Sequence, residues 1–272
     1  MSTTTTQQPS NFSGSVPAHY DQYLGPIYFE PYAIEVANRV DPSSVKLALE
    51  LASGTGRVTR HLRKVLSPAT KLIASDISED MLAVAKGKLK NENIDWQIID
   101  AQQLPFHDNS IDLIVCCFGF MFVPDKSKTF AEVLRVLRPG GMLIFSTWDK
   151  LEANGASFVH RTIAKKYLEE PLPASFNLAF SMSDESSIKS MLEGAGFSKI
   201  LTGKVNKQCH ASSSKDAAEG LTMGGSIYNE IMKRNPAWID EIRARVEKEL
   251  SKKYGSSPMI APMSAVISQV WK

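Results

Sequence analysis

Residues 49–57, LELASGTGR, decide the fold of this 272-residue chain. An apolar run that predicts a buried strand passes into residues 52–56, ASGTG, called the glycine loop below, and a helix is predicted to follow almost at once. Glycine lets the chain turn sharply with positive φ and lets a ligand approach the bare backbone. The helix that follows offers unpaired N–H groups to a negative or polar ligand. Because many glycine turns bind no ligand, features of the neighbouring segments are needed to indicate whether this one does.

Short apolar runs alternate with amphipathic stretches on both sides of the glycine loop. The strands predicted in this part are residues 45–52, 71–75, 94–99, 111–118 and 142–148. The helices predicted here are residues 27–40, 59–66, 79–89 and 128–137, the last ended by Arg138-Pro139-Gly140-Gly141. These strands are too apolar for either face of their sheet to be exposed to solvent, and helices separate them along the chain. Both features indicate a parallel sheet covered by helices on both faces. Because such crossovers are right-handed, we expect an open, doubly wound α/β sheet.

The later part of the chain adds two strands and a set of helices. The predicted strands are residues 199–205 and 263–271, and the predicted helices are residues 155–169, 183–193 with Ser183 as N-cap, 215–223, 227–234 and 238–253. The sheet is therefore predicted to have seven mostly parallel strands. Helices between late strands predict a helical cap over the carboxyl edge, where open α/β sheets bind ligands.

Composition excludes several function classes. Lysine and arginine number 31 against 29 acidic residues, a net charge of +2, which argues against a dedicated binder of nucleic acid or of a membrane surface. No apolar run approaches the ~18 residues that a membrane helix needs, and the first residues do not resemble a secretory signal. Cys116, Cys117 and Cys209 are an odd count that predicts reduced thiols. We expect a cytoplasmic location and leave the oligomeric state open.

Acidic residues follow the second and third strands. Asp76 lies 20 residues after Gly56, where a carboxylate can accept both hydroxyls of a ribose. Capping of the next helix is the alternative, for which Ser78 competes; the pairing of Asp76 with a glycine loop favours ribose. Asp100-Ala101-Gln102 would then sit beside the ring of the nucleoside, although an ordinary polar turn explains these residues as well.

The glycine loop disfavours a dinucleotide. A pyrophosphate site needs G-x-G-x-x-G, and the best register, which starts at Gly54, puts Thr59 in the third glycine position. The sequence also contains no G-x-x-x-x-G-K-[ST] phosphate loop. Glu50, two residues before Ala52, is awkward beside a phosphate and suits a cationic ligand such as an amine or a sulfonium.

Five segments carry a family resemblance. LELASGTGR, IASDIS with Met81, IIDAQQLPF, SIDLIVCCFGFMFV and LRVLRPGGMLIFSTW resemble the successive motifs of class I S-adenosylmethionine-dependent methyltransferases. The likeness covers about residues 20–148 and is closest to the ubiquinone/menaquinone-biosynthesis-like small-molecule branch, of which the opening HYDQYLGPIYFEPYA is also typical. It implies a Rossmann-like fold, S-adenosyl-L-methionine as cofactor, no metal, and methyl transfer to a small-molecule acceptor.

The resemblance also implies roles for individual residues. Glu50 would orient the loop and the amino-acid end of the cofactor, and Asp76 would hold its ribose. Ala52, Gly54 and Gly56 occupy the glycine positions, with Ala52 where the family usually has glycine. The other implied contacts are Ile77 and Met81 beside the adenine, Asp100 and Ala101 at its edge, Phe118 near the methionine portion, and Tyr20 or Tyr23 closing over the site.

The implied organisation is a single methyltransferase domain from residue 16 onward. A Ser/Thr/Gln-rich, disordered tail is expected at residues 1–15, and lid helices at 16–44. Residues 45–150 would form the cofactor-binding core and 151–262 the substrate cap elements with a late strand. Residues 263–272 would form the last strand.

Methyl transfer from a sulfonium is an in-line displacement whose reactivity comes from the cofactor. The protein must align the partners and exclude water, and such positioning is worth ~7–11 kcal/mol. We assign no catalytic base, and the histidines His19, His61, His107, His160 and His210 are expected to be ordinary exposed residues. The aromatic residues Tyr20, Tyr23, Tyr28, Phe29 and Tyr32 would form a lid over an aromatic or lipid-like acceptor, or simply pack within their helix. An NAD(P)-dependent oxidoreductase and a non-catalytic cofactor-binding protein are the alternative functions.

Overall fold

A computed structural model describes Phe12, residues 14–225 and residues 227–272. The strands are β1 Leu47–Glu50, β2 Lys71–Asp76, β3 Asp95–Ile98, β4 Ile111–Cys117, β5 Leu137–Trp148, β6 Lys199–Ala211 and β7 Met259–Trp271. They form one sheet in the order β3-β2-β1-β4-β5-β7-β6. The first five strands pair in parallel, and β7 runs antiparallel to both β5 and β6. The predicted seven-stranded, mostly parallel α/β sheet is confirmed.

Helices cover both faces of the sheet and its carboxyl edge. They are α1 Val16–His19, a π-helix Tyr20–Phe29, α2 Glu30–Ala37, α3 Arg57–Val65, α4 Glu79–Lys88, α5 Lys126–Val136, α6 Gly155–Ala164, α7 Ser175–Leu178, α8 Glu185–Gly194, α9 Ser214–Met223, α10 Tyr228–Arg234 and α11 Trp238–Tyr254. In the described part of the chain, none of them is both long and apolar enough to cross a bilayer.

The strand order reverses between β1 and β4. From β1 the chain builds outward through β2 to β3 and then returns to the other side of β1. Leu49 and Ile114, which pair across this junction, are both fully buried. Because loops leave in opposite directions at such a reversal, a crevice opens at the carboxyl ends of the two strands.

Several element boundaries differ from the prediction, three of them for clear structural reasons. β5 begins at Leu137 and includes the Pro-Gly-Gly segment, because the pairing register shifts there and Gly140 takes a φ of +76°. The N-cap of α8 is Asp184, whose carboxylate accepts from the Ser187 amide at 2.8 Å; Ser183 lies one residue too early. β7 begins at Met259, four residues before the predicted start, because β6 is also longer and pairs with it throughout.

The first helical segment is also irregular. One helix was expected over residues 27–40, but the chain forms the π-helix and then α2. Pro26 lies inside the π-helix, and Pro31 lies in the first turn of α2, where its missing N–H is tolerated. The bare face of Gly25 lies against Arg57, since a Cβ there would stand 2.3 Å from the guanidinium.

The late helices pack on this N-terminal segment. A Cβ at Gly220 of α9 would lie 2.8 Å from Cβ of Tyr23, so the absence of a side chain lets α9 and the π-helix approach closely. The predicted apolar face of α11 is confirmed, because Ile239, Ile242, Val246 and Leu250 are all buried. The described N-terminal and C-terminal helices are therefore packed together beside the sheet.

A buried carboxylate fixes the start of β1 against β4. Asp112 is 8% exposed, and its Oδ2 accepts from the amides of Lys46 at 2.6 Å and Leu47 at 2.8 Å. Its Oδ1 lies 2.7 Å from Nε of Arg138. One side chain thus joins β1, β4 and the irregular start of β5.

Replacing Asp112 by Ala should lower the free energy of unfolding by about 3 kcal/mol, because two amides and a cation lose their acceptor. Urea denaturation followed by circular dichroism measures the change. The control is Asp108→Ala, which removes a 67%-exposed partner of Arg135 and should lower stability by less than about 1 kcal/mol. Equal effects of the two substitutions would contradict the role given to Asp112.

Candidate functional site

The glycine loop follows β1 with three residues in the left-handed region. φ is +53° at Ala52, +54° at Gly54 and +79° at Gly56. The two glycines therefore stand where the backbone demands them, and Ala52 accepts a conformation that L-residues rarely adopt. Apart from its chain neighbours, a Cβ added at Gly54 would meet no atom of the described residues within 4 Å, so this face of the loop borders open space.

Asp76, at the end of β2, is 9% exposed and holds the loop in place. Its Oδ2 accepts from the Gly54 amide and its Oδ1 from the Ser78 amide, both at 2.8 Å. Burial raises the pKa of Asp76, and these amide hydrogen bonds oppose the rise. Ser78 is the N-cap of α4, accepting from the Met81 amide at 3.3 Å. Asp76 thus joins the two loops, and since the Ile77 amide also bonds it, three of the roughly four acceptor positions of a carboxylate are used and one is left for a ligand.

Glu50, the last residue of β1, is a buried acid. It is 1% exposed, and its Oε2 has no hydrogen-bond partner in the described part of the chain. Burial raises the pKa of Glu50 to about 8, with hydrogen bonding from Thr59 opposing the rise. An unpaired buried carboxyl stays protonated at neutral pH and would ionise beside a cation.

The remaining predicted contact residues differ in exposure. Ile77 is 55% exposed, and Asp100, which accepts from the Gln102 amide at 2.9 Å, is also exposed. Ala101 is half-buried, whereas Met81 is 4% exposed and packs in the core. The loops after β1, β2 and β3 therefore present Gly54, Ile77 and Asp100 along one edge of the sheet.

Aromatic rings cover the carboxyl ends of β4 and β5. We call Tyr20, Phe29, Tyr32, Phe118 and Trp148 the aromatic cover. Phe118, with φ +56°, stacks on Trp148 at a centroid distance of 4.1 Å. Tyr20 lies 4.8 Å from Phe29, and burial raises its pKa well above the usual range. Tyr23 instead stacks on His19, so Tyr20 is the tyrosine beside this edge.

The start of the described chain reaches the same edge. The Phe12 ring lies 6.1 Å from Tyr20 and 5.9 Å from Phe122, and its carbonyl accepts from the Ser78 hydroxyl at 3.0 Å. The predicted disordered tail, residues 1–15, lies mostly outside the described residues and stays a prediction. Trp148 was not predicted as a site residue, although its position at the end of the fifth strand was a usable signal.

A cluster of charges ties the lid helices to the glycine loop. This polar latch consists of Asp21 and Glu30 with Thr55, Arg57, Arg60, His61 and Lys88. Arg57 Nη1 lies 2.9 Å from Glu30 Oε2, and the Thr55 hydroxyl donates to Asp21 at 2.7 Å. Burial disfavours the charge on Glu30, but hydrogen bonds from His61, Arg57 and Arg60 outweigh it and lower its pKa to about 2.

Two histidines are much less exposed than expected. His61 has a side chain only 17% exposed, with Nε2 2.8 Å from Glu30 Oε1. His160 is 3% exposed, and burial with the nearby Arg161 charge lowers its pKa to about 3. Both expectations were wrong because exposure depends on which helices pack together, which single positions do not indicate.

Comparisons with known proteins agree with this geometry. The model of the methyltransferase domain family matches residues 49–145. The ubiquinone/menaquinone biosynthesis C-methyltransferase UbiE of Pseudoalteromonas translucida (strain TAC 125) is 30% identical over 219 residues, covering 70% of this chain and 84% of that protein. The chain belongs to the UbiE-like family of S-adenosylmethionine-dependent methyltransferases. It is an enzyme that uses S-adenosyl-L-methionine to methylate a small molecule.

Solved structures show the same fold. The YcgJ protein of Bacillus subtilis has a TM-score of 0.58 at 16% identity, covering 89% of this chain and 98% of its own. A phosphoethanolamine N-methyltransferase of Haemonchus contortus, solved with S-adenosylhomocysteine, has a TM-score of 0.55 at 16% identity, covering 89% of this chain and 52% of its own. Nothing in the comparisons supports the nicotinamide alternative or the non-catalytic one.

Replacing Glu30 by Gln should lower the free energy of unfolding at pH 7 by about 1–2 kcal/mol, because the latch loses its carboxylate. Since the pKa of Glu30 is lowered on folding from 4.5 to about 2, its contribution is present above pH 4.5 and disappears as the pH falls toward 2. The difference between the enzyme and Glu30→Gln, measured by urea denaturation, should therefore shrink over that range. The exposed Glu92→Gln is the control; a pH-independent difference for Glu30→Gln would contradict the latch.

Proposed function

We propose that S-adenosylmethionine lies over the glycine loop at the β1/β4 crevice, between the carboxyl groups of Glu50 and Asp76. The observation that carries this proposal is the bare, open face of Gly54 between a buried acid whose Oε2 is unpaired and a buried acid with spare acceptor capacity. A ligand with a cationic amino-acid end and a ribose has one group for each acid. The residues present therefore fit the cofactor.

Asp76 would accept the ribose hydroxyls while it still holds the Gly54 amide. Ile77 and Asp100 would face the adenine, as the exposed residues of the next two loops. Ala101 and Met81 would shape the floor, Met81 from within the core. Glu50 would lie beside the amino-acid end of the cofactor. The backbone amides of residues 52–56 would contact the side of the cofactor that faces the glycine loop.

Tyr20 and Phe118 would close the site above the reacting end. The polar latch holds the π-helix, and with it Tyr20, beside the loop. Closing the site excludes water from the displacement. The functional division into lid helices 16–44, cofactor core 45–150 and substrate cap elements 151–262 is part of this proposal.

The bound cofactor supplies an electrophilic methyl group on a sulfonium. The chain contributes position and exclusion of water, since alignment of two reactants is worth ~7–11 kcal/mol. His160 is buried and neutral, and we assign no base to the reaction.

The acceptor we propose is an aromatic or lipid-like small molecule. The aromatic cover offers stacked and edge-on rings at the carboxyl ends of β4 and β5, which suit a flat apolar acceptor. The relative from Pseudoalteromonas translucida is named for carbon methylation in quinone biosynthesis, which supports an aromatic acceptor methylated on carbon. A cytoplasmic location stays a prediction from the three free cysteines.

Gly54→Ala should weaken S-adenosylmethionine binding at least tenfold by calorimetry, because its Cβ would project into the space given to the cofactor. The left-handed φ should cost about 1 kcal/mol of stability, which Ala52 shows the loop can bear. Valine is a poorer choice, since a β-branched residue at this φ is strongly strained. Gly140→Ala is a matched control, because Gly140 also has a left-handed φ, +76°, and open space beside it. It lies near the start of β5, away from the carboxyl edge where the cofactor is proposed to bind. Equal affinity in the two variants would contradict the proposal.

Cofactor binding should release about one proton per enzyme at pH 7, because a cation beside Glu50 lowers a pKa of about 8. Calorimetry in buffers of different ionisation enthalpy measures this proton. Glu50→Gln should bind without it. Without cofactor, the raised pKa means that Glu50 stabilises the fold most below pH 4.5 and that this contribution is lost as the pH rises through 8. Proton release unchanged in Glu50→Gln would assign the proton elsewhere.

A further inference from the structure

Buried side-chain atoms without partners in the described residues include two groups. One group surrounds the glycine loop and includes Glu50, Ser53 and Thr59. The other lies outside the cofactor site and includes His160, Arg161 and Ser175. Native proteins leave few buried polar atoms unpaired, so each such group calls for a ligand or another explanation. The proposed cofactor would account for the first group, whereas no ligand is assigned to the second.

Arg161 on α6 is the charged member of the second group. It is 7% exposed, and its Nη1 is buried without an acceptor. Among Phe12, residues 14–225 and residues 227–272, no carboxylate pairs with it, and burial lowers its pKa to about 10. Removing a charge from water without a counter-ion is strongly unfavourable. His160 beside it is neutral and brings no compensating charge.

A second buried arginine, Arg63, has a structural role and serves as a comparison for Arg161. Arg63 is 9% exposed and donates to the backbone carbonyls of Thr70 at 2.9 Å, Asn93 at 3.3 Å and Leu66 at 3.3 Å, and also to that of Ser67. Its N–H groups are used within the fold. Arg161 has no comparable set, so its donors are available.

Aromatic rings flank the Arg161 guanidinium. Its central carbon lies 4.9 Å from the Phe176 centroid and 5.4 Å from the Phe180 centroid. Rings hold a guanidinium by its face and leave the in-plane N–H groups for a ligand. Phe180 also lines an open cleft of about 380 Å³, together with Asn177 and Ser181, so a route from solvent reaches this ring.

The flanking segment belongs to the carboxyl edge of the sheet. The carbonyl of Met182 accepts from the Thr147 hydroxyl at 2.7 Å near the end of β5, and the Ser181 hydroxyl lies 3.5 Å from the Met121 carbonyl just after β4. The same strand ends carry Phe118 and Trp148 of the aromatic cover. Arg161 therefore contacts rings of a segment that is itself hydrogen-bonded near the ends of β4 and β5, the region proposed for the acceptor.

We propose that Arg161 binds an oxyanion, a carboxylate or a phosphate ester, on the methyl acceptor. A planar fork of N–H donors matches such a group bidentately, and the ligand charge would compensate the buried cation. The reading of this anion as part of the acceptor rests on the proposed function. The acceptor is thus an aromatic compound that carries an anionic group.

Three small probes test the anion site: benzoate, phenyl phosphate and the neutral benzamide. The enzyme is first titrated with S-adenosylhomocysteine, and each probe is then added at millimolar concentration while the unfolding temperature is followed. Benzoate or phenyl phosphate should raise that temperature, and benzamide should not. The anion that acts identifies the acceptor group as a carboxylate or a phosphate ester. A response to benzamide as large as that to the stronger anion, or no response to either anion, would overturn the site even without a variant.

The Arg161→Met variant tests whether the response to the anionic probes arises at Arg161. It keeps the apolar stem and removes the charge, and it should weaken anion binding at least tenfold while leaving the affinity for S-adenosylhomocysteine unchanged. Arg39→Met, which removes an arginine already paired with Glu35 at 3.0 Å, should keep the full anion response. An anion response that survives in Arg161→Met would overturn the assignment. Failure of S-adenosylhomocysteine to bind would instead count against the cofactor site, and the probe series without it still decides the anion site.

Discussion

The site depends on one hydrogen bond, from the Gly54 amide to the Asp76 carboxylate at 2.8 Å. It joins the loop after β1 to the loop after β2, across the edge where both parallel strands end. The same carboxylate accepts from Ser78 and so also fixes the start of α4. Two loops that would otherwise move independently are thereby held in one geometry. A left-handed backbone at Gly54 turns its bare face toward open space, which is what a ligand lying on the backbone needs.

The charged side chains on the two sides of this hydrogen bond differ in whether they have partners. On the side of the N-terminal helices, Arg57 is matched to Glu30 and Asp21 in the polar latch, so these helices are held to the core by ion pairs. On the ligand side, Glu50 Oε2 and Arg161 Nη1 are buried without hydrogen-bond partners in the described residues. Arg161 carries its charge there, whereas Glu50 is protonated until a cation lies beside it. We therefore read the acid as facing the cationic cofactor and the guanidinium as facing an anionic acceptor.

Much of this arrangement could be predicted from local sequence. The strand ends, Gly54, Gly56 and Asp76 follow from chain spacing, because a parallel sheet brings its carboxyl ends to one edge. Glu50 was identified by its acidic charge beside the glycine loop, and the family resemblance added Phe118. The partners of Arg57, the burial of His61 and His160, and the position of Trp148 were not predicted, because they depend on packing between elements far apart in the chain. The bulge at the start of β5 was missed for a different reason: Arg138-Pro139-Gly140-Gly141 is typical of a helix-ending turn, and only its pairing with β4 makes it part of a strand.

A crystal structure of the enzyme with S-adenosylmethionine would decide whether the cofactor lies over the glycine loop. We expect ribose hydroxyls within hydrogen-bond distance of the Asp76 carboxylate, the adenine beside Ile77, and the cofactor amino group on the Glu50 side of the glycine loop. Cofactor density away from residues 52–56, or a ribose turned from Asp76, would contradict this placement.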